Sequence, residues 1–303
     1  MSQGAADKPS VGFVGLGLMG HGMAKNIVEK GFPLSVLAHR RRDAVEDLKA
    51  RGASETADAA ELAASSDIVV LCVTGSPQVE AIVRGPGGLG DNLAEGAVIV
   101  DCSTSDPTST DALRTLLVSR GIKFVDAPLS RTPKEAWDGT LDVMVGAEPA
   151  TLERVRPVLE CFAGRIVHVG GPGDGHRMKL LNNFVSLGYA AIYAEALALA
   201  RKVGISPERF DGVIRGGRMD CSFYQTFMRW TLERDRNAHP FTITNALKDL
   251  RYLEAMADAA GLANPLGNAA KNAFAMAAAG DGAEDFVPML VDHVARANGV
   301  EPD

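Results

Sequence analysis

The sequence has few of the features that are typical of nucleic-acid-binding, secreted and membrane proteins. Its 31 lysines and arginines are outnumbered by 38 aspartates and glutamates, and the formal net charge of −7 argues against a broad nucleic-acid-binding surface. The first ten residues, MSQGAADKPS, lack the apolar core of a signal peptide, so residues 1–10 are interpreted as a disordered tail. No apolar run predicts a convincing membrane helix, because the alanine-rich stretch 189–200 is short and contains Glu195.

Cysteine is scarce as well. The four cysteines show no paired spacing; they are Cys72, Cys102, Cys161 and Cys221. Zinc sites and disulfide frameworks both need such pairs. We therefore expect reduced thiols, no metal site and a cytoplasmic location.

The rest of the composition is that of a globular protein, with 46% apolar residues and enough length for two domains. In the first half, short apolar segments alternate with segments of helical spacing. Strands are predicted at 11–14, 34–38, 67–74, 97–102, 123–126 and 166–169. Asp106 followed by Pro107 predicts the start of a helix that runs to about Arg120. This alternation predicts an α/β Rossmann domain with a doubly wound, mostly parallel sheet.

From Gly175 onward the sequence has helical spacing nearly throughout, beginning with a long helix that reaches about Lys202. The predicted organisation is therefore a dinucleotide-binding domain over 11–172, followed by an all-helical domain over 173–303. The long helix joins the two domains, and the helical domain is expected to serve substrate binding and oligomerisation.

A glycine-rich turn directly follows the first predicted strand. It is Gly15-Leu16-Gly17-Leu18-Met19-Gly20, a GxGxxG, and a helix and a second strand come after it within about thirty residues. In this context the first glycine permits a tight turn, the second admits a pyrophosphate, and the third lets helix and strand pack closely. All six residues of the turn are therefore candidates for binding a dinucleotide. The alternative is a plain glycine-rich turn.

The residues after the second strand indicate which dinucleotide binds. NAD-binding domains of this kind usually carry an acidic residue there, but this chain has His39, Arg40 and Arg41. A guanidinium suits a ribose 2′-phosphate, so we expect NADP to be preferred, with NAD possible. The alternative is a solvated basic turn, with cofactor choice made elsewhere.

Ligands on such sheets lie beyond the carboxyl ends of the strands. Those ends carry Val73 and Thr74, Ser103 and Thr104, and the segment 128–132. These residue types are equally typical of ordinary turns. Their positions along the strands do not distinguish turn residues from ligand-binding residues.

The junction between the halves, GGPGDGHRMKLLNN (170–183), places Lys179 and Asn183 four residues apart, on one face of a helix. A lysine and an amide in this arrangement can polarise a carbonyl, and they can equally form an ordinary solvated face. The six histidines show no convincing carboxylate partner, although His176 lies in the junction. Lys248, followed by Asp249, is unremarkable on spacing alone.

Five stretches, in order, resemble the β-hydroxyacid dehydrogenase family, which includes 3-hydroxyisobutyrate dehydrogenase and tartronate semialdehyde reductase. The resemblance spans nearly the whole chain, from 11 to about 297. The five stretches are GFVGLGLMG (12–20), DCSTSDP (101–107), DAPLSRTPKEAWDGTLDVMVG (126–146), GPGDGHRMKLLNN (171–183) and NALKDLRYL (245–253).

The resemblance implies Lys179 as general acid and base, with Asn183 orienting the substrate. It implies Ser130 as a substrate contact, Thr104 beside the nicotinamide ribose, and Lys248 near the cofactor. Family members have a Rossmann domain, an all-helical domain and usually a dimeric or tetrameric assembly.

One segment departs from the family pattern, which has Ser-Gly-Gly where this chain has Ser130-Arg131-Thr132. With Arg177, this segment resembles the sulfolactaldehyde reductases within the family, whose substrate carries a sulfonate. An arginine can hold such an anion through a bidentate fork. The alternative for Arg131 is an ion pair with a nearby carboxylate such as Glu135.

The expected activity is hydride transfer between a nicotinamide and a small β-hydroxy acid or its semialdehyde, with NADP preferred. A sulfonate-specific reductase is one alternative. An imine reductase is another, although such enzymes typically replace the lysine that stands here at 179. A non-catalytic NADP-binding protein is a third, of a different class.

The cofactor hypothesis makes a direct prediction. Arg40→Ala should lower kcat/KM with NADPH and leave kcat/KM with NADH unchanged, because only NADPH carries the 2′-phosphate. Steady-state kinetics with both cofactors tests this, and the NADH series is the internal control. A variant that keeps the full NADPH preference contradicts the role given to the arginine.

Overall fold

The computed structural model describes residues 8–38 and 42–302, and the chain divides into two compact units, Met1–Lys179 and Leu180–Asp303. Most of the predicted tail, residues 1–7, lies outside the described residues. Ser10, the last residue of that tail, is tied to the first unit, since its backbone N–H donates to Asp67 at 2.8 Å and its hydroxyl to the same carboxylate at 2.7 Å.

Within the described residues the first unit contains one sheet of nine strands in the order β3-β2-β1-β4-β5-β6-β8-β7, with β9 paired to β8. The strands are β1 Val11–Val14, β2 Leu34–Leu37, β3 Ser54–Thr56, β4 Ile68–Leu71, β5 Val98–Asp101, β6 Lys123–Asp126, β7 Leu129–Ser130, β8 Leu141–Gly146 and β9 Ala163–Gly170. All pairings from β3 through to β6 are parallel, β8 runs antiparallel to β6 and β7, and β9 is parallel to β8. The doubly wound, mostly parallel sheet predicted from the sequence is confirmed.

Eight helices cover this sheet within the described part of the first unit. They are α1 Gly20–Glu29, α2 Arg42–Ala50, α3 Ala59–Ala64, α4 Ser76–Arg84, α5 Leu89–Asn92, α6 Pro107–Val118, α7 Pro133–Asp138 and α8 Pro149–Leu159. Helix α6 begins as predicted, because the Asp106 carboxylate accepts a hydrogen bond from the backbone N–H of Thr108 at 2.9 Å. The sequence analysis did not identify α7 or β3, which have only six and three residues.

The central strands are apolar along their whole length because both faces of the sheet are covered. Val70 and Val100 point into a core shared with α1, α2 and α8, whereas Val69 and Ile99 point into a second core shared with α3 to α6. All four side chains are fully buried. This double burial is what makes the strands of a parallel sheet uninterrupted apolar runs.

A single helix, α9 Asp174–Lys202, runs from the end of the first unit into the second. The second unit then contains α10 Pro207–Ile214, α11 Ser222–Glu233, α12 Ile243–Ala259, α13 Pro265–Ala279 and α14 Leu290–Ala297. A 3₁₀ turn, Val287–Met289, precedes α14. The helical second half is therefore confirmed, and α9 ends at the predicted residue.

Helix α9 is the longest helix among the described residues. By length and composition alone it could cross a membrane, and it is the one helix among the described residues that passes this test. A single such helix is weak evidence, because the core helix of a soluble protein passes as well. In the second unit the α9 residues Leu187, Ala190 and Ala194 are buried in a core with Phe227 and Phe274.

Candidate active site

The glycine-rich turn after β1 has the geometry that a bound pyrophosphate requires. Gly15 has a φ of +104°, and a Cβ there would lie 2.2 Å from the carbonyl oxygen of Cys72. A Cβ on Gly20 would lie 1.9 Å from the carbonyl oxygen of Gly15. Around Gly17, by contrast, no described atom comes within 4 Å of a Cβ position. The outer glycines therefore close the turn, and the middle one leaves its exposed side open to a ligand.

The beginning of α1 completes this cradle. No acidic residue lies in the first turn of α1, and Met19 at the N-cap makes no side-chain hydrogen bond to the helix. The first N–H groups of such a helix attract an anion. Leu16 is buried and Leu18 is exposed, so they fix the turn to the core and border its open side. The residues present fit the diphosphate of a dinucleotide.

The carboxyl ends of β4 and β5 are joined by polar side chains. The Ser103 hydroxyl accepts a hydrogen bond from the backbone N–H of Val73 at 3.0 Å. The Asp101 carboxylate in turn accepts from the backbone N–H of Ser103 at 2.9 Å and from the Ser105 hydroxyl at 3.0 Å. The loops that carry Val73 and Thr104 are thus held side by side.

The thiols at these strand ends are not nucleophiles. Burial raises the pKa of Cys72 to about 12 and that of Cys102 well above its usual range. Both cysteines are unpaired. They contribute to packing, and the candidate chemistry falls to other residues.

The segment after β7 contains an unusual backbone conformation. Arg131 has a φ of +88°, in the left-handed region that favours glycine. Its guanidinium Nε lies 3.0 Å from a carboxylate oxygen of Asp142, the residue that pairs with Ser130 across the β7–β8 hairpin. Arg131 therefore forms an ion pair with a nearby carboxylate, as in the alternative interpretation, but the partner is Asp142 and not the Glu135 named there as an example.

Thr132 and Glu135 have a structural role of their own. They form a capping box at the start of α7, in which the Thr132 hydroxyl contacts the Glu135 carboxylate and the backbone N–H of Lys134. The hydroxyl thus has a capping role, and the substrate contact predicted for it stays a prediction. The Asn26 side chain of α1 donates to the Ala136 carbonyl at 2.9 Å, which docks α7 on the glycine-rich turn's own helix.

The first turn of α9 is fixed by a carboxylate from the sheet. Asp126, at the end of β6 and fully buried, accepts hydrogen bonds from the backbone N–H groups of Gly173 at 2.6 Å and His176 at 2.8 Å. Burial raises the pKa of the Asp126 carboxyl, and these hydrogen bonds and the His176 imidazole act in the opposite direction. Lys179 follows one turn later and is half-buried.

Arg177 serves the same helix start. Its guanidinium lies 2.6 Å from Asp111 of α6 and 3.2 Å from Asp174. Two carboxylates therefore engage the side chain that the sequence analysis assigned to the substrate. These two ion pairs account for the position of the Arg177 side chain without a bound ligand.

In the second unit a buried carboxylate joins the other two predicted polar residues. Asp249 of α12 accepts a hydrogen bond from the Asn183 amide at 2.6 Å and lies 2.8 Å from the Lys248 ammonium. Asn183 and Asp249 are both buried. The sequence analysis passed over Asp249, because its partner Asn183 is 66 residues away.

Two other expectations can be compared with the structure. The histidines have carboxylate neighbours after all: His21 lies 2.8 Å from Asp47, and His293 lies 2.9 Å from Asp285. These pairs form between distant elements or across a loop, which spacing does not reveal. The predicted NADP-binding residues His39, Arg40 and Arg41 lie outside the described residues.

Two family models match the chain and together cover most of it. The NAD-binding domain of 6-phosphogluconate dehydrogenase matches residues 10–170. The NAD-binding domain of NADP-dependent 3-hydroxyisobutyrate dehydrogenase matches residues 173–291. The first match alone spans more than half of the sequence.

Individual proteins are similar over long stretches. The 2-(hydroxymethyl)glutarate dehydrogenase of Eubacterium barkeri is 38% identical over 67% of each chain. The 3-sulfolactaldehyde reductase of Escherichia coli is 29% identical over 93% of this chain and 94% of its own. The solved structure of Mycobacterium tuberculosis 3-hydroxyisobutyrate dehydrogenase with L-serine superposes with a TM-score of 0.84, at 30% identity, over 94% of this chain and 98% of its own.

The glycine geometry predicts opposite effects for two alanine substitutions. Gly20→Ala should lower the free energy of unfolding by about 2 kcal/mol or more, because its methyl group meets the Gly15 carbonyl. Gly17→Ala should leave the melting temperature unchanged and weaken dinucleotide binding, because its methyl group enters the open side of the turn. Thermal melts and cofactor titrations measure the two effects. A Gly17→Ala variant that binds cofactor as well as wild type contradicts the assigned cradle.

Proposed function

Since the chain belongs to the β-hydroxyacid dehydrogenase family and is thereby an NAD(P)-dependent oxidoreductase, we propose that it transfers a hydride to or from a small β-hydroxy acid or its semialdehyde. The preferred cofactor is NADP. The observation that carries the proposal is the fixed start of α9, where Asp126 holds the turn immediately before Lys179.

Lys179 is the general acid and base in this proposal. The nicotinamide ring supplies or accepts the hydride when bound. In reduction the Lys179 ammonium gives a proton to the carbonyl oxygen as it becomes an alcohol, and in oxidation the neutral amine takes that proton from the hydroxyl. A half-buried position supports this role, because it keeps the ammonium partly shielded from bulk water.

Asn183 and Lys248 supply the supporting polar groups. The amide of Asn183 orients the substrate's hydroxyl or carbonyl, and Lys248 is assigned to cofactor binding by its place in the motif shared with the family. Their shared partner Asp249 restricts both side chains, and such preorganisation lowers the cost of forming the reactive arrangement.

The glycine-rich turn and the ends of β4 and β5 hold the cofactor. The turn from Gly15 to Gly20 binds the diphosphate, and the loops with Val73, Thr74 and Thr104 contact the nucleoside parts. The hydrogen bond from Val73 to Ser103 supports this assignment, since it fixes the two loops relative to each other before any ligand binds.

Ser130 and Arg131 hold the acid group of the substrate. The side chain of Arg131 is exposed, and a guanidinium fits either a carboxylate or a sulfonate. The similarity to 3-sulfolactaldehyde reductase favours the sulfonate as a candidate substrate group. Thr132 and Arg177 have capping and ion-pair roles in the structure, and their contact with the substrate stays a prediction.

A homo-oligomer, dimeric or tetrameric, completes the proposal. Within the second unit, α9 and the residue that follows it present a line of exposed apolar side chains: Leu181, Val185, Tyr189, Ile192, Leu199 and, after the helix, Val203. Their separations of three, four and seven residues place them along one side of the helix. An apolar stripe of this length is typical of a surface that another chain covers.

Substitution of the lysine tests the mechanism. Lys179→Ala should keep the melting temperature and the cofactor affinity but lower kcat by about 100-fold or more, because the proton donor is lost. Lys49→Ala, an exposed lysine of α2, is the matched control and should keep wild-type kcat. A kcat of Lys179→Ala within a few-fold of the wild-type value would contradict this mechanism.

Substitution of Arg131 tests the substrate class. Arg131→Gly should lower kcat/KM for an anionic substrate by about 10- to 100-fold, the value of a charged hydrogen bond. The free energy of unfolding should change by less than about 1 kcal/mol, because the relief of the left-handed backbone offsets the lost ion pair and the greater freedom of glycine.

Paired substrates that differ only in carboxylate versus sulfonate show which anion the site prefers. Arg131→Gly should lower kcat/KM more for the substrate with the preferred anion than for the other substrate. Arg177→Ala is the contrasting variant and should affect both substrates equally. Equal losses for both anions with Arg131→Gly would contradict the specificity role.

A further inference from the structure

His176 is a buried histidine whose contacts no part of the proposed mechanism uses. Its side chain is fully buried, with Nδ1 2.7 Å from the Thr110 hydroxyl oxygen and Nε2 3.6 Å from a carboxylate oxygen of Asp101. Its backbone N–H donates to Asp126. One residue of α9 therefore meets the ends of β5 and β6 and the first turn of α6.

A hydrogen bond of 2.7 Å joins Nδ1 to the Thr110 hydroxyl, and the tautomer of the imidazole decides which of the two groups donates. The Thr110 hydroxyl oxygen also lies 3.1 Å from the carbonyl oxygen of Asp106. Thr110 is itself buried, so this bond is shielded from water.

The surroundings of the imidazole tie it to the cofactor loops. Asp101 and Asp126 occupy paired positions on β5 and β6, and both are fully buried. Asp101 orders the loop with Ser103 and Thr104, and Asp126 orders the start of α9. His176 is the side chain that faces the first carboxylate while its backbone binds the second.

We propose that His176 is a positioning residue for Lys179, setting the rotation of the first turns of α9 relative to the loop at the end of β5. The proposal rests on the proposed function of Lys179. The backbone bonds to Asp126 fix where the helix begins, and the bond to Thr110 fixes how the helix is turned about its axis.

The helix geometry carries this effect to the lysine. Residues 176 and 179 are three apart and are neighbours on the helix surface. A small rotation of the turn at 176 therefore moves the Lys179 ammonium by a similar angle at the end of a long side chain. A displacement of about 1 Å from the reactive arrangement can cost about 100-fold in rate.

Three substitutions separate positioning from mere packing. The Asn amide can reproduce the polar contact that Nδ1 makes with Thr110, whereas the Gln amide extends toward the Nε2 position, and Ala provides neither. His176→Asn should keep kcat within a few-fold of wild type. His176→Gln and His176→Ala should lower kcat by about 10- to 100-fold. KM for NADPH should stay unchanged in all three.

A matched control is His168→Asn, because His168 on β9 also uses one ring nitrogen, 2.8 Å from the Ala147 carbonyl, and lies outside the proposed site. It should keep wild-type kcat. Melting temperatures are recorded for every variant. The proposal is overturned if all three His176 variants have the same kcat. It is also overturned if kcat falls equally in His176→Asn and His176→Gln and the fall follows the melting temperature.

Combining the substitutions distinguishes this proposal from the function on which it rests. His176→Ala should cost nothing further in a Lys179→Ala background, measured by single-turnover kinetics, because it acts through the lysine. An equal loss in both backgrounds overturns the positioning role and leaves the proposed function intact. Wild-type turnover by Lys179→Ala alone overturns the proposed function, and the positioning role falls with it.

Discussion

The buried carboxylate of Asp126 fixes where α9 begins. A helix start leaves backbone N–H groups without acceptors, and here the acceptor is a strand end 47 and 50 residues earlier in the sequence, not a neighbouring cap. The desolvation that raises the pKa of this carboxyl is opposed by the hydrogen bonds it accepts. The position of the candidate catalytic lysine therefore depends on the sheet as well as on the residues of the junction.

Buried polar groups also order the loops along the carboxyl edge of the sheet, where side chains form hydrogen bonds with one another and with the backbone. Ser103 binds Val73, and Asp101 binds Ser103 and Ser105. The loops assigned to the cofactor thus keep their conformation through internal bonds, which leaves their outward surfaces for a ligand. This arrangement is preorganisation in the sense used for catalytic sites, since order is established before binding.

The sequence predicted the elements that long patterns define. The apolar run after the junction predicted α9 and its end at Lys202, and Asp106-Pro107 predicted the start of α6. Pairings that form across space were missed. Asp249 is recognised only through its hydrogen bond with Asn183. The partner of Arg131 is Asp142, which lies across a hairpin whose strand β7 has two residues. The cap formed by Thr132 and Glu135 was missed as well, although Thr132-Pro133-Lys134-Glu135 has the spacing of a capping box.

The left-handed backbone at Arg131 has a consequence for how this loop can diverge. Every residue other than glycine bears the conformational cost there, and only arginine among them adds a bidentate anion contact. Two residues are thus favourable at this position, and a single base substitution interconverts several of their codons. A lineage can therefore gain or lose the guanidinium in one mutational step without passing through a less stable intermediate, whereas gradual adjustment through alanine or lysine is disfavoured.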